Sequence, residues 1–244
     1  MKYSKRICLA IAVFISFKGF SQEVPKGFEL TEIVKIAETY RLAPNLSFNI
    51  HYTYSDSAQP NQVIEQLDGS HKIHNGKFWS MLDSIEFLQG NLYSLGIYHK
   101  DSLIIVNNRQ DYTSVMQIPM MDSLFRESNV TDMQVTRLDD STRSIKIQFT
   151  PQTQYRGYEM QYDLNSFLIR KVKYYMPDPG DEDNPPVSSG VVCIAINFLN
   201  YSEAPINEEY FNEAKFIYRQ GNELLSQPAF TGYRIIANIQ DQNK

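Results

Sequence analysis

Leu46, Phe48, Ile50, Tyr52 and Tyr54 alternate with Ser47, Asn49, His51 and Thr53, the two-residue period of a strand with one apolar and one polar face. Just upstream the period changes. Leu30, Ile33, Val34, Ala37 and Tyr40 fall on one stripe of a helix of about three turns, with Thr31 placed to cap its start and Pro44 to stop it. The apolar strand face needs a cover, and this helix is the nearest element able to supply one.

Strand-like runs then recur between turn signals. Asn75-Gly76, the residue pair of a type I′ hairpin turn, separates Val63–His74 from Lys77–Leu82. Trp79 and Met81 share one face of that second run and Phe78 and Leu82 the other, and a one-residue slip would exchange them. Residues 84–88, 92–99 and 102–106 continue the meander, parted by Gln89-Gly90-Asn91 and Lys100-Asp101. The pattern breaks near Ile118-Pro119, where residues 122–127 read as one or two helical turns. It resumes in residues 133–138, 145–150, 158–164, 168–176 and 191–199, all suited to antiparallel pairing. Between the last two runs, residues 177–186 are acidic and proline-rich and cannot continue a ladder. They read as a mobile loop, either the tip of a long hairpin or a lid over a ligand mouth. Residues 214–239 hold two or three short strands around Gly221-Asn222 and Pro228, an appended element.

The first residues have a different character. Lys2, Lys5 and Arg6 precede an apolar run over 7–17, and Gly19-Phe20-Ser21-Gln22 follows as a cleavage region, the order of a secretion signal. The run is too short to span a membrane, and no later segment approaches the ~20 apolar residues a span needs. The expected mature protein is soluble, exported to the periplasm of a Gram-negative bacterium, and about 222 residues long. Export removes Cys8 and leaves Cys193, inside the apolar run Val191-Val192-Cys193-Ile194-Ala195-Ile196, so no intramolecular disulfide is expected. Cys8 precedes the apolar run and so does not suit lipid attachment. Cys193 reads as a small buried strand residue.

Loss of Lys2, Lys5, Arg6 and Lys18 takes the balance from 23 basic against 28 acidic residues to 19 against 28. That acidic excess repels nucleic acid and anionic head groups. Sixteen Tyr and fourteen Phe favour broad apolar sheet faces and oppose disorder.

Residues that carry chemistry are sparse. His51, His71, His74 and His99 have no zinc spacing, and His71 and His74, three apart on a strand, point to opposite faces. Neither metal nor cofactor is expected. No Gly-x-Ser-x-Gly, phosphate-binding loop or dinucleotide fingerprint occurs, and Asp139-Asp140 and Glu208-Glu209 read as solvated charge. Without a nucleophile, base and orienter in any recognisable spacing, no catalytic residue is nominated and the chain does not read as an enzyme. The dipeptide Asp-Ser recurs before Ala58, Ile85, Leu103, Leu124 and Thr142. Turn chemistry explains it directly. It also resembles the acceptor pattern for O-glycosylation of exported proteins in some Gram-negative bacteria, with Ser57, Ser84, Ser102, Ser123 and Ser141 as acceptors.

The run from Asn45 through Asp56, followed by residues 63–69 ending at Gly69, resembles the opening of the periplasmic lipoprotein carrier family, the LolA-like proteins. The resemblance continues in Lys77-Phe78-Trp79-Ser80-Met81, Phe149-Thr150-Pro151, residues 158–164 and 168–175, and Ile196-Asn197-Phe198-Leu199-Asn200-Tyr201 before a short acidic helix at 207–211. It spans roughly residues 30–211 as a likeness of pattern and order. It implies a mainly β fold: a curved antiparallel sheet forming an incomplete barrel, with an N-terminal amphipathic helix, short plug helices, and a concave apolar face that receives acyl chains. On this reading residues 1–22 are the signal, 23–212 the half-barrel, and 213–244 a C-terminal β extension on the same domain. One departure is that Asn75-Gly76 stands where the family has a basic residue before the proline of its tight turn, so the family's latch does not carry over.

Given such a barrel, alternation nominates Phe48, Ile50, Tyr52, Ile145, Ile147, Phe149, Met160, Tyr162, Val172, Tyr174, Ile194, Ile196 and Phe198 for the concave face. The expected partner is a lipid or an acylated lipoprotein, bound by a monomer that does not span the membrane and does not bind nucleic acid. The alternative keeps the fold but fills the barrel with side chains, leaving an envelope interaction, sensor or assembly-accessory protein that binds other envelope proteins.

Overall fold

The computed structural model describes residues 28–109, 130–151, 153, 155–178, 180 and 186–239. Helix α1 (Phe28–Leu42) leads into a first meander of β1 (Leu46–Asp56), β2 (Val63–His74), β3 (Lys77–Leu82), β4 (Ile85–Gln89), β5 (Tyr93–Tyr98) and β6 (Leu103–Asn108). A second meander comprises β7 (Val130–Arg137), β8 (Thr142–Phe149), β9 (Gly157–Asp163), β10 (Ile169–Pro177) and β11 (Val191–Ser202). Two short 3-10 turns, Glu208–Phe211 and Glu213–Lys215, precede the hairpin β12 (Ile217–Gln220) and β13 (Glu223–Ser226). A third, Pro228–Phe230, precedes β14 (Arg234–Asn238).

Twelve of these strands form one sheet in the order β14-β6-β5-β4-β3-β2-β1-β11-β10-β9-β8-β7. The two meanders join where β11 returns to lie antiparallel beside β1. Among the described residues the sheet edges β14 and β7 do not pair with each other, so the sheet does not close into a barrel. This is the mainly β, incomplete-barrel class expected from the sequence. One pairing departs from it: β14 runs parallel to β6, with Ile235 beside Ile104 and Ala237 beside Val106. The secretion signal, the helical turns expected at 122–127 and the centre of the acidic loop lie outside the described residues.

The helix differs in detail from the sequence reading. It begins at Phe28, so Thr31 is inside it and exposed, and its buried stripe is Ile33, Ile36 and Tyr40. Val34 is 49% exposed, because steps of three and four residues from Ile33 reach Ile36 and Tyr40 and leave position 34 to one side. Each of the three buried side chains contributes on the order of 1.5–3 kcal/mol of hydrophobic stabilisation. Glu32 lies on the same stripe, 2% exposed, and pairs with Arg143 of β8. Burial raises its pKa above the ordinary carboxylate value, and Arg143 opposes the rise.

The sheet carries a core on each face. On one, α1 covers Leu46, Phe48 and Ile73 of the first meander and Ile145, Ile147, Tyr158, Met160 and Tyr162 of the second. On the other face of β3–β6, Trp79, Leu88, Leu95, Ile97, Ile104 and Val106 are buried with Phe211, Phe216 and Ile217. The register of β3 therefore sends Phe78 to the helix side and Trp79 to the far side, where its indole N–H donates to Glu86 at 2.5 Å. The short 3-10 turns sit on this far face and do not plug the helix side. Cys193 is a buried free cysteine, 3% exposed.

Candidate ligand cavity

Strand register lays a row of residues across the helix side of the first meander. Phe48 of β1 stands opposite His71, His71 opposite Ser80, Ser80 opposite Phe87, Phe87 opposite Gly96, and Gly96 opposite Ile105 of β6. From β1 the same face continues the other way, with Ile50 opposite Phe198, Tyr52 opposite Ile196, and Ile196 opposite Val172 of β10. Residues from both ends of this span line a single cavity of about 490 Å³. In a flat sheet, seven inter-strand steps of ~4.8 Å would put β6 and β10 roughly 34 Å apart. That Ile105 and Asn107 line the same space as Val172 and Tyr174 requires the sheet to curl round it, so this is the concave face.

Six of the thirteen nominated residues, Phe48, Ile50, Val172, Tyr174, Ile196 and Phe198, line the cavity. Ile145, Ile147, Met160 and Tyr162 are at most 2% exposed in the packed core under α1, and Phe149 and Ile194 pack against it. Tyr52 is half-buried between Leu67 and Ile196. Apart from Ile169 of β10, the remaining lining comes from strands for which no residue was nominated: His71, Phe78, Ser80, Leu82, Phe87, Ser94, Gly96, Tyr98, Ile105, Asn107 and Asn238 among them. A signal for the nearest of these was available. A two-residue Asn75-Gly76 turn pairs His74 with Lys77 and so fixes His71 opposite Ser80 and Gly69 opposite Leu82.

Two features keep the space open. Gly96 faces it opposite Phe87, where an added Cβ would lie 3.1 Å from the Phe87 ring. Phe87 itself is 37% exposed, so this wall reaches solvent. The rim toward α1 is pinned by hydroxyl groups. Tyr201 donates to the Ile169 carbonyl at 2.7 Å, the Ile169 N–H donates to the Tyr40 hydroxyl at 2.9 Å, and the two phenol oxygens lie 2.5 Å apart. With the Tyr201 proton committed to the carbonyl, Tyr40 donates to Tyr201. Ile169 lies at a break in the β9–β10 register, where its N–H has left the ladder.

The described lining contains polar groups but no Asp, Glu, Lys or Arg. His71 stacks on Phe48 with centroids 5.1 Å apart and planes 10° apart, and meets Phe78 at 5.7 Å. Both its ring nitrogens are buried without a hydrogen-bond partner among the described residues. Burial lowers its pKa from 6.5 to about 4. At the cavity's far edge, the Asn238 side-chain N–H donates to the Asn107 side-chain carbonyl at 3.2 Å.

The other residues singled out by sequence lie elsewhere. His74 points away from His71, ring-stacked on Phe211, with Glu208 bridging it (2.9 Å) and Lys77 (2.6 Å). His51 pairs with Asp68 on the surface and His99 with Glu86. Among the described residues no group of three His, Cys, Asp or Glu could hold a metal, and no helix is long and apolar enough to cross a membrane. Ser57, Ser84, Ser102 and Ser141 all sit in turns, and Ser123 lies outside the described residues. Asp56 holds its loop by accepting from Ala58 N–H, Ser188 hydroxyl and Ser189 N–H, contacts that keep its pKa well below the carboxylate range. Asp139 likewise accepts from the Ser141 N–H at 2.7 Å.

No protein-family model matches the chain, and no curated protein matches it in sequence. Among solved structures it is similar to an uncharacterized conserved protein from Thermus thermophilus, with TM-score 0.48 and 8% identity over 86% of this chain and 99% of the other. It is similar to a LolA superfamily protein from Nitrosomonas europaea, with TM-score 0.33 and 9% identity over 76% of this chain and 97% of the other. It is also similar to the Mycobacterium tuberculosis lipoprotein LppX, with TM-score 0.38 and 12% identity over 75% of this chain and 99% of the other. One of these three structures is named a LolA superfamily protein, and at 8–12% identity none of the likenesses says what this chain binds or does.

Proposed function

We propose that this protein is a non-enzymatic binding protein of the cell envelope that holds a lipid, or the acyl chain of a lipoprotein, in the concave cavity. The observation that carries the reading is the cavity: about 490 Å³, walled chiefly by hydrocarbon from two meanders, in the size range of small-molecule sites at ~300–1,000 Å³. A methylene is about the size of a water molecule, ~30 Å³, so the space holds on the order of 16 methylenes. Burying each contributes about 0.8 kcal/mol, enough for useful affinity without any catalytic group. Export to the periplasm, with residues 1–22 as the signal, belongs to the same proposal. So do a half-barrel over 23–212 extended by 213–244, and glycan attachment at Asp-Ser turns, which added mass on native tryptic peptides would reveal.

A second reading, a filled barrel acting through its surface, is favoured by Ile145, Ile147, Met160 and Tyr162, nominated for ligand contact yet packed solidly beneath α1. Native mass spectrometry and organic extraction of mature protein purified without detergent separate the two. A stoichiometric co-purified lipid or acylated peptide supports the binding reading. Protein that emerges empty and refuses added acyl probes overturns it in favour of the filled barrel.

A further inference from the structure

We infer that the cavity holds its ligand in one direction, the tail against β1, β10 and β11 and the head on Ser94, Asn107 and Asn238, and that this head is an uncharged group able both to donate and to accept hydrogen bonds. This rests on the binding reading above and names the class and the orientation of the ligand.

The polar side chains of the lining are unevenly spread. Ser80, Ser94, Tyr98, Asn107 and Asn238 belong to β3, β5, β6 and β14. From β1, β10 and β11 come Phe48, Ile50, Val172, Ile196 and Phe198, with the Tyr174 phenol as the one polar side chain on that side. His71 of β2 offers a ligand nothing, because both its ring nitrogens are sealed in the wall. Register sharpens the contrast: Ser94 of β5 stands opposite Asn107 of β6, and Asn107 lies beside Asn238 of β14. The hydrogen bond between the two amides uses one donor group and one acceptor. In either amide orientation the pair therefore keeps an N–H group and a carbonyl that meet no other described residue. This row is open at the cavity's edge, with Asn238 exposed and Ser94 and Asn107 half-buried. A head that donates and accepts satisfies both free groups. Turned the other way, the same head would give up water for a wall of hydrocarbon and a single phenol. The described lining holds no Lys, Arg, Asp or Glu to pair with a charge, so the head that fits it is neutral.

The test uses the full mature chain and 1-monododecanoylglycerol carrying a photoreactive diazirine either on its glycerol or at its chain end, with the labelled tryptic peptide identified by mass spectrometry. The glycerol label should fall on residues 101–109 or 235–244, which contain Asn107 and Asn238. The chain-end label should fall on residues 42–72 or 174–215, which contain Phe48, Ile50, Ile196 and Phe198. Displacement of an apolar fluorescent dye gives a second readout. Monododecanoylglycerol should displace it at lower concentration than dodecanoate at mildly alkaline pH. Its ranking relative to methyl dodecanoate, which cannot donate, should worsen about tenfold in the Asn107→Leu, Asn238→Leu double variant, the factor that one lost hydrogen bond of ~1.4 kcal/mol represents. Labels exchanged or shared evenly between the two sets of peptides, equal displacement by dodecanoate, or a ranking unmoved by the double substitution overturns the inference while leaving lipid binding intact. The labelling pattern of the unaltered protein decides the matter even if the variant does not fold. Failure of the dye and of both probes to bind overturns the binding reading, and this inference with it.

Discussion

His71 places a titratable ring in a wall that holds no Asp, Glu, Lys or Arg among the described residues, and its pH behaviour follows. Its pKa in the folded protein is about 4 against an ordinary 6.5, so as pH falls the unfolded chain takes up the proton first. The stability that neutral His71 permits is present above pH 6.5 and is lost as pH falls toward 4. At ~1.4 kcal/mol per pH unit the loss is roughly 3 kcal/mol. His71→Phe should remove this dependence and raise stability at neutral pH by about 1 kcal/mol or more, since it keeps the stack on Phe48 and deletes two unmet nitrogens. Urea titrations of both proteins between pH 7 and pH 4.5 check it, and parallel slopes would contradict it. Gly90 is a second informative residue, for steric reasons. A Cβ there would collide with the Glu213 carboxyl and lie 2.7 Å from the Phe211 carbonyl oxygen. Glu213 accepts from the Leu92 and Tyr93 N–H groups at 2.6 and 2.8 Å, so Gly90→Ala should cost about 1–3 kcal/mol by forcing this segment off the sheet. At ~2–4 °C per kcal/mol for a chain this size, the thermal midpoint should drop measurably.

At the level of elements, α1 is attached to the sheet by apolar contact and by polar ties from Glu32 and Tyr40. Glu32 reaches Arg143 of β8, while Tyr40 accepts from the Ile169 N–H at the register break of β10 and donates to Tyr201 of β11. Tyr40→Phe keeps the ring packed on Phe48 but leaves the Ile169 N–H without its acceptor. A loss of about 1–3 kcal/mol is expected, with faster hydrogen exchange at Ile169 as the local signature. Unchanged protection there would mean that the break finds another partner. The helix stripe also shows how far pattern reaches. Ile33 and Tyr40 were legible as buried, but Val34 against Ile36 was not, because both extend an apolar stripe and only the docking angle decides between them.

At the scale of the whole molecule, one curled sheet serves two jobs on one face. Beneath α1 the concave side is filled, and toward β3–β6 it is left as a cavity, while the C-terminal turns and hairpin cover the outside of that same half. Ile147→Glu tests the division. Ile147 is 2% exposed in the filled part, so an unpaired charge there should abolish cooperative thermal unfolding altogether. A well-folded variant with altered lipid uptake would instead place Ile147 in the binding surface. In the unaltered protein, a bound lipid at a hundred times its dissociation constant should raise stability by about 2.7 kcal/mol.

The elements and their order are written in the chain. Periods of two and of about 3.6 residues mark strands and helix, and Asn75-Gly76 fixes the register of β2 on β3, because these are properties of neighbours along the chain. Alternation also put Phe48, Ile50, Val172, Tyr174, Ile196 and Phe198 each on the apolar face of its own strand. Which parts of the concave face are packed and which are open depends on how the sheet folds in three dimensions. That folding brought β11 back beside β1 and curled β6 round toward β10. It also laid β14 parallel to β6 across more than a hundred residues of chain. Such contacts depend on sheet curvature and on the placement of a helix cap, and no local alternation encodes either. For the same reason His71 read as one polar residue in a strand until Phe48, Phe78 and Ser80 were in place around it.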